Sequence, residues 1–352
     1  MKKVLIADDS ALVRKQLSEI IGTLDFEIET ARNGAEAVQK ATETQYDVIT
    51  MDINMPVMDG LTAVKRIMEV RPTPILMISS LTTESAGITM EALDAGAVDY
   101  IAKPGTMNVG KSENREDILA KVTSLSRIPP RRLKTIVRRP VQRERAPARR
   151  ESSLVQTPAF VEVSKILLIG ASTGGPGLIE QICKALPRGF PYAVCIVQHM
   201  PEQFTAAFAT RLDKVSTLPV IECKDHMELS SGVIYLARGG VHMHFAKKVT
   251  GKFVIREEKN KNNRFFQPSV DEMFESAAKI FSGDQITAVL LTGIGDDGAS
   301  GMVKIKNAGG FTIGESEETA TVYGMPKEAF DRGGVSQQLP FPKIVRALQT
   351  LH

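Results

Sequence analysis

Four short apolar runs in the first hundred residues each stop at a charged or hydroxyl side chain, and that regularity restricts the chain to one kind of sheet. Val4-Leu5-Ile6-Ala7 stops at Asp8 and Asp9, Val48-Ile49-Thr50-Met51 at Asp52, Ile75-Leu76-Met77-Ile78 at Ser79, and Tyr100-Ile101-Ala102 at Lys103. Helical faces lie between them: Val13, Leu17, Ile20 and Ile21 form one, Leu61, Val64, Ile67 and Met68 another, and Ile118, Val122 and Leu125 close the series. Strands alternating with helices predict a parallel sheet covered on both faces. The carboxyl ends of such strands share one edge, so Asp8, Asp9, Asp52 and Lys103 should converge there.

Carboxylates about 4 Å apart repel by roughly 4 kcal/mol at an effective dielectric near 20, so the cluster needs a counter-charge. Mg²⁺, a hard cation held by one or two carboxylates and water, supplies it and would also neutralise a phosphoryl group. Asp52 is then a candidate carboxylate nucleophile toward phosphorus, with Lys103 pairing with the phosphoryl oxygens as a point charge. Asp52 opens Asp52-Ile53-Asn54-Met55-Pro56-Val57-Met58-Asp59-Gly60, and Lys103 precedes Pro104. The pattern, over residues 1 to about 125, resembles the flavodoxin-like receiver domain of two-component response regulators. The resemblance implies that Asp52 is the phosphoacceptor. It further implies that Asp8, Asp9, Asp52 and the Asn54 carbonyl serve Mg²⁺, that Ser79 and Lys103 contact the phosphate, and that Tyr100 is the aromatic switch residue.

A length of 352 residues suggests two domains. The start runs straight into a strand, and no segment approaches the roughly 18 apolar residues that span a bilayer, which predicts a cytoplasmic protein with no membrane insertion. Cys183, Cys195 and Cys223 are odd in number and far apart, which argues against a disulfide framework or a zinc knuckle and leaves them as small buried hydrophobes. The net charge of +3 hides an asymmetry, because residues 127–150 hold ten Arg or Lys and one Glu. That stretch, broken by Pro129, Pro130, Pro140 and Pro147, is expected to be an extended linker over 126–160. A basic run also invites a nucleic-acid reading, but no recognition helix follows it, and no nucleic-acid partner is expected.

A second α/β series begins at Ser164, with strands expected over 165–169, 193–198, 232–236, 241–245, 253–256, 286–292 and 311–314. Val270, Met273, Phe274, Ala277, Ile280 and Phe281 share one side of a helix started by Pro268-Ser269. The middle, 219–256, reads as shorter antiparallel pieces, giving a doubly wound sheet with a small β insertion. Ile166-Leu167-Leu168-Ile169 leads into Gly170-Ala171-Ser172-Thr173-Gly174-Gly175-Pro176, a strand, a glycine-rich turn and a helix start. Gly170 to Gly174 fit G-x-S-x-G, with Ser172 at the tip and backbone N–H groups nearby for an oxyanion. The same turn also describes a phosphate or dinucleotide site. An acid about 20 residues on would be expected for a ribose, and the segment offers Glu180 and then none before Glu202.

A nucleophilic serine needs a base, and the base an acid behind it. His199 follows Val194-Cys195-Ile196-Val197-Gln198 and is placed just past the next strand. His242 and His244 alternate onto one face of a short strand, where a pair could hold metal, but no third ligand is evident; His226 and His352 belong to no motif. Asp296 and Asp297 follow Val289-Leu290-Leu291-Thr292-Gly293-Ile294-Gly295; Asp297 could alternatively cap the helix from about Ala299, and spacing does not separate the two acids. The order Ser, His, Asp differs from that of α/β-hydrolases, so a different fold is expected.

The motifs just quoted, with Gln198-His199-Met200-Pro201, Gln267-Pro268-Ser269-Val270-Asp271 and Tyr323-Gly324-Met325-Pro326, resemble the chemotaxis receptor protein-glutamate methylesterases, the CheB family. The resemblance implies the catalytic domain over 161–352, a triad of Ser172, His199 and Asp297, and secondary contributions from Thr173 and Ile294. Ile294 stands where the family often has methionine. It implies hydrolysis of glutamate γ-methyl esters on methyl-accepting chemotaxis receptors, glutamine deamidation as a side activity, and a chemotaxis histidine kinase as phosphodonor. Apart from the Mg²⁺ of the receiver, no cofactor is expected for the ester chemistry. A DNA-binding regulator and a nucleotide-binding output domain are the rival readings.

Overall fold

The structure, a computed structural model, describes residues 1–80, 82–103, 111–129, 133, 161–261 and 264–351. Lys2–Ala7 (β1), Phe26–Ala31 (β2), Val48–Asp52 (β3), Ile75–Ser79 (β4) and Asp99–Ala102 (β5) form a sheet in the order β2-β1-β3-β4-β5. Every pairing in it is parallel. This is the 2-1-3-4-5 order of flavodoxin-like sheets, whose switch point lies between the first and third strands. Helices Ala11–Ile21 (α1), Gly34–Glu43 (α2), Gly60–Val70 (α3), Thr83–Asp94 (α4) and Lys111–Leu125 (α5) make the crossovers. The first four start on side chains that accept the N–H three residues on: Ser10, Asn33, Asp59 and Thr82.

The linker expected over 126–160 falls outside the described residues except for 126–129 and Leu133. Ile128 and Leu133 are buried in the hydrophobic core, so packing continues past residue 125.

In the second half, Ile166–Ala171 (β6), Ala193–Gln198 (β7), Val220–Glu222 (β8) and Ile234–Leu236 (β9) precede an antiparallel pair, His242–Lys247 (β10) and Phe253–Glu258 (β11). Ile286–Leu290 (β12), Phe311–Glu315 (β13) and Gln337–Leu339 (β14) follow. The seven strands other than β10 and β11 form one sheet in the order β14-β13-β12-β6-β7-β9-β8, with every pairing parallel. This corrects the expectation for the middle of the chain: among the described strands there, β10 and β11 pair antiparallel, while β8 and β9 extend the main sheet in parallel. They are three residues long, too short for a period to distinguish the two arrangements. The crossovers are Gly175–Ala185 (α6), Glu202–Val215 (α7), Val270–Ile280 (α8), Ala299–Asn307 (α9), Met325–Asp331 (α10) and Phe341–Gln349 (α11).

The central strands β6 and β7 are buried along their whole length, which is why they read as unbroken apolar runs rather than alternating ones. From β6 the chain first builds outward through β7 to β8 and β9, then returns to the other side of β6 as β12. The reversal leaves a crevice between the carboxyl ends of β6 and β12, where ligands of open α/β sheets bind.

The two halves pack on each other. Tyr100 of β5 stacks on Phe204 of α7, ring centroids 4.6 Å apart and planes at 14°. Arg211 of α7 pairs with Asp94 of α4 and, at 2.6 Å, with Glu180 of α6.

Phe274 on α8 is fully buried against the second sheet. Replacing it by alanine should cost about 3–5 kcal/mol, read as a lowered denaturant midpoint, and Phe274→Leu should cost less than half of that. Equal losses would mean that α8 is not anchored by this ring.

Candidate active site

Three hydrogen bonds aim the β6 turn. The Ser172 N–H donates to Thr292 O at 3.0 Å, the His199 N–H donates to Ala171 O at 3.1 Å, and the Gln198 side-chain amide donates to Ser172 O at 2.9 Å. Gly174 follows with φ of +78°, a left-handed conformation that a residue with a Cβ seldom adopts. Gly293 makes room from the other side: a Cβ there would lie 2.8 Å from Ser172 Cβ and 2.0 Å from Met325 Sδ. The helix entered from this turn has its proline, Pro176, at the second helical position rather than the first.

Ser172 Oγ lies 3.0 Å from His199 Nδ1, and His199 Nε2 lies 2.7 Å from Asp297 Oδ2. With Asp297 ionised, Nε2 carries the proton and Nδ1 is free to accept from the serine hydroxyl. Phe266 stacks on the open face of the imidazole with centroids 3.8 Å apart and planes at 13°. The adjacent acids, which spacing left unresolved, go separate ways: Asp296 is exposed and pairs with Arg332 at 2.6 Å, while Asp297 turns inward.

Asp297 does not cap its own helix, whose N-cap is Gly298. It sits instead at the N-terminus of α8. Ser269 Oγ donates to its Oδ1 at 2.7 Å, the Asp271 N–H to Oδ1 at 3.0 Å and the Val270 N–H to Oδ2 at 2.7 Å. Burial would raise its carboxyl, but the His199 contact and these donors outweigh that and hold it at about 2. Asp271, buried and facing the charge of Asp297, is pushed up to about 6.

A cavity of about 420 Å³ opens onto Ser172 and His199, lined on one side by Thr173, Phe266 and Ile294 and on the other by Tyr100, Asp117 and Lys121 of the first half. The Ser172 N–H is already engaged, whereas those of Thr173 and Ile294 donate to no acceptor among the described residues. The Thr173 hydroxyl donates to Asp99 Oδ2 at 2.5 Å, and Lys121 bridges Asp99 at 3.3 Å and Asp117 at 3.5 Å. Burial raises Asp117 against the pull of Lys121. Sequence reasoning missed Asp99, Asp117, Lys121 and Phe266, none of which belongs to a motif. Ser269 was visible only as a helix start.

At the edge of the first sheet, Asp8, Asp9 and Asp52 each bring a carboxylate oxygen within 4.8 Å of the others. Lys103 Nζ lies 3.2 Å from Asp8 and 2.8 Å from Asp52. Burial raises Asp52 and the like charge of Asp8 adds to it, against the pull of Lys103. An all-oxygen acidic set of this kind fits a hard divalent cation such as Mg²⁺. Asn54 is exposed on the turn beyond β3. Ser79 ends β4 buried, its hydroxyl donating to Ser80 O at 3.0 Å. His242 and His244 use their Nε2 atoms on Asn260 at 3.2 Å and Glu272 at 2.9 Å, so those nitrogens are already engaged.

The depressed Asp297 carboxyl has a consequence for stability. Its folded-state value of about 2 lies below the ordinary ~3.9, so it stabilises the fold above pH ~4, on the order of 2 kcal/mol, and the contribution disappears as pH falls toward 2. Asp271 is already protonated in that window. Asp297→Asn should therefore be less stable than wild type at neutral pH, with the gap closing between about pH 4 and pH 2 in denaturation curves. A gap independent of pH would contradict this assignment.

Residues 167–348 match the family described as CheB methylesterase, and residues 4–112 match the response regulator receiver domain. A protein-glutamate methylesterase/protein-glutamine glutaminase of Carboxydothermus hydrogenoformans is 48% identical, over 97% of this chain and 96% of its own. One of Archaeoglobus fulgidus is 42% identical over 98% of this chain and 97% of its own. The crystal structure of the Thermotoga maritima CheB methylesterase catalytic domain is 39% identical and covers 54% of this chain and 99% of its own, with a TM-score of 0.52. With a receiver domain ahead of its esterase domain, the chain belongs to the CheB methylesterase family.

Proposed function

We propose that this chain hydrolyses glutamate γ-methyl esters on chemoreceptors, and deamidates receptor glutamines, with Ser172, His199 and Asp297 as its triad and phosphorylation of Asp52 as its switch. The observation that carries the reading is the imidazole of His199 standing between a hydroxyl and a buried carboxylate within hydrogen-bond reach of both.

His199 Nδ1 takes the Ser172 proton as Oγ attacks the ester carbonyl, and Asp297 stabilises the resulting imidazolium. The oxyanion forms beside Thr173 and Ile294, whose N–H groups are its donors. The C–O bond to the methoxy group then breaks, His199 returns the proton, and methanol leaves an acyl-enzyme. Water deprotonated by the same nitrogen attacks the acyl carbon, releasing glutamate and restoring the serine. An amide substrate follows the same course with ammonia leaving.

For the switch, Asp8, Asp9, Asp52 and the Asn54 carbonyl would hold Mg²⁺, which supplies charge neutralisation for a phosphoryl group when bound. Asp52 attacks phosphorus, a chemotaxis histidine kinase being the donor, and Lys103 and Ser79 contact the phosphoryl oxygens. In the unphosphorylated chain the receiver narrows the cleft with Tyr100, Asp117 and Lys121, and Asp99 engages Thr173. Phosphorylation adds about −1.5 to −2 charges and biases the domains apart. No helix among the described residues is long and apolar enough to cross a membrane, and we place the activity in the cytoplasm.

Methanol release from methylated receptor membranes tests the reading. Ser172→Ala should abolish it, and a small-molecule phosphodonor should accelerate wild type but not Asp52→Asn. Equal rates for Asp52→Asn and phosphorylated wild type would sink the switch. Asp99→Asn, which leaves Thr173 a neutral acceptor in place of a charged one, should raise the unphosphorylated rate roughly 5-fold, the equivalent of the ~1 kcal/mol by which a hydrogen bond to a charged group exceeds a neutral one, and leave the phosphorylated rate unchanged.

A further inference from the structure

Behind the carboxylate of Asp297 stands a second histidine that the reaction scheme does not use. His242 opens β10 opposite Glu258 of β11 and is 2% exposed. Its Nδ1 accepts the Ser269 N–H at 3.1 Å. A nitrogen that accepts carries no proton, so the ring proton sits on Nε2, which faces Asn260 Oδ1 at 3.2 Å. Asn260 is itself fixed by Arg264: its Oδ1 takes the Arg264 N–H at 2.8 Å and its amide donates to Arg264 O at 2.7 Å. Both ring nitrogens are therefore committed, and the tautomer is set by the fold.

Ser269 is where this arrangement meets the triad. It is the N-cap of α8, and its hydroxyl accepts the Glu272 N–H at 3.3 Å while donating to Asp297. Its N–H, buried at the helix entry, would be an orphan donor without the imidazole. Rotation of Ser269 would shift the hydroxyl and the two following N–H groups together, which are the donors on Asp297 besides His199.

We propose that His242 is a positioning residue for ester hydrolysis, fixing the Ser269 amide so that the entry of α8 clamps Asp297 against His199. The inference rests on the triad reading above. It requires His242 to be neutral, because an imidazolium would set two donors face to face at Nδ1. Burial depresses the ring below the usual histidine range, in keeping with that requirement. The charged and titratable groups facing it are Glu272 of α8, Asp297 of the β12 turn, His244 of its own strand and Glu258 across the ladder, with Arg264 behind Asn260. The attraction of Glu272 and Asp297 for a cation is outweighed by burial.

The test measures kcat and KM for methanol release by the full-length chain with a small-molecule phosphodonor. His242→Phe keeps the ring volume and removes the acceptor. It should lower kcat about 10- to 100-fold, as loss of an outer hydrogen-bond partner typically does, with KM little changed. His242→Asn, which returns a carbonyl near Nδ1, should recover most of that loss. Rates are compared below the melting point of each variant. Wild-type kcat in His242→Phe, or equal impairment in the phenylalanine and asparagine variants, would overturn the proposal. Ser172→Ala runs alongside: activity there would defeat the triad itself, whereas an inactive Ser172→Ala beside a fully active His242→Phe defeats only this inference. Nitrogen chemical shifts of labelled histidine give a readout independent of variant folding. A neutral Nε2–H tautomer for His242, persisting below pH 6.5, is expected; an Nδ1–H tautomer or a cation at pH 7 would refute the role.

Discussion

The buried carboxylate of Asp297 is the point on which the geometry of the second domain turns. An ionised group in that position is costly unless it is fully satisfied, and its donors come from His199 after β7 and from the first residues of α8. The N-terminal end of a helix, with its free N–H groups and positive dipole end, is suited to an anion. The exchange is mutual. Asp271, in the first turn of α8, accepts the Gly301 N–H near the start of α9 at 2.7 Å, so each helix start is served by an acid from the other's region. Neither helix can shift without exposing a charge, and the histidine orientation follows from that constraint.

What could be read in the sequence, and what could not, divides along the same line. Residues carried by strand ends were legible, because one edge of a parallel sheet collects them whatever the loops do. Ser172, His199 and an acid from the Asp296-Asp297 pair were placed this way. The choice within the pair came from the resemblance and was not legible in the spacing, since two neighbours on a tight turn face opposite sides, and in the fold it is the packed helix start and Arg332 that distinguish them. Short elements escaped for a related reason. Gln337–Leu339 pairs along β13 at the sheet edge with mostly polar residues, β8 offers only three residues to any pattern, and β9, expected within 232–236, is too short for its pairing direction to be read. Phe266, Asp99 and Lys121 matter through partners far away in the chain, and no local spacing encodes them.

Strand β5 links the two sites in a way that no single motif would suggest. In four residues it carries Asp99, which holds the Thr173 hydroxyl beside Ser172, and Tyr100, stacked on Phe204. Lys103, the next residue after the strand, reaches into the acidic pocket between Asp8 and Asp52. In the proposed switch, a displacement of Lys103 toward a phosphoryl group would act on the same short segment that touches the Ser172 turn.

Whether such a displacement is enough is a question of magnitude. Moving a two-state balance from 1:99 to 99:1 takes about 5.5 kcal/mol of differential interaction. The contacts that join the halves are individually modest. The Arg211 bridge to Asp94 is partly exposed, and pairs of that kind contribute about 0–1 kcal/mol each. The Thr173 to Asp99 hydrogen bond to a charged group contributes roughly 1.5–3 kcal/mol, and the Tyr100 to Phe204 stack roughly 0.5–1.5 kcal/mol beyond its buried area. Because Asp99 and Tyr100 are adjacent, a shift of β5 weakens the two stronger contacts together rather than one at a time. Their sum, roughly 2–4.5 kcal/mol, is about a third to four-fifths of that full reversal, so in the proposed switch a phosphoryl group that frees β5 moves the balance substantially without breaking the rest of the junction.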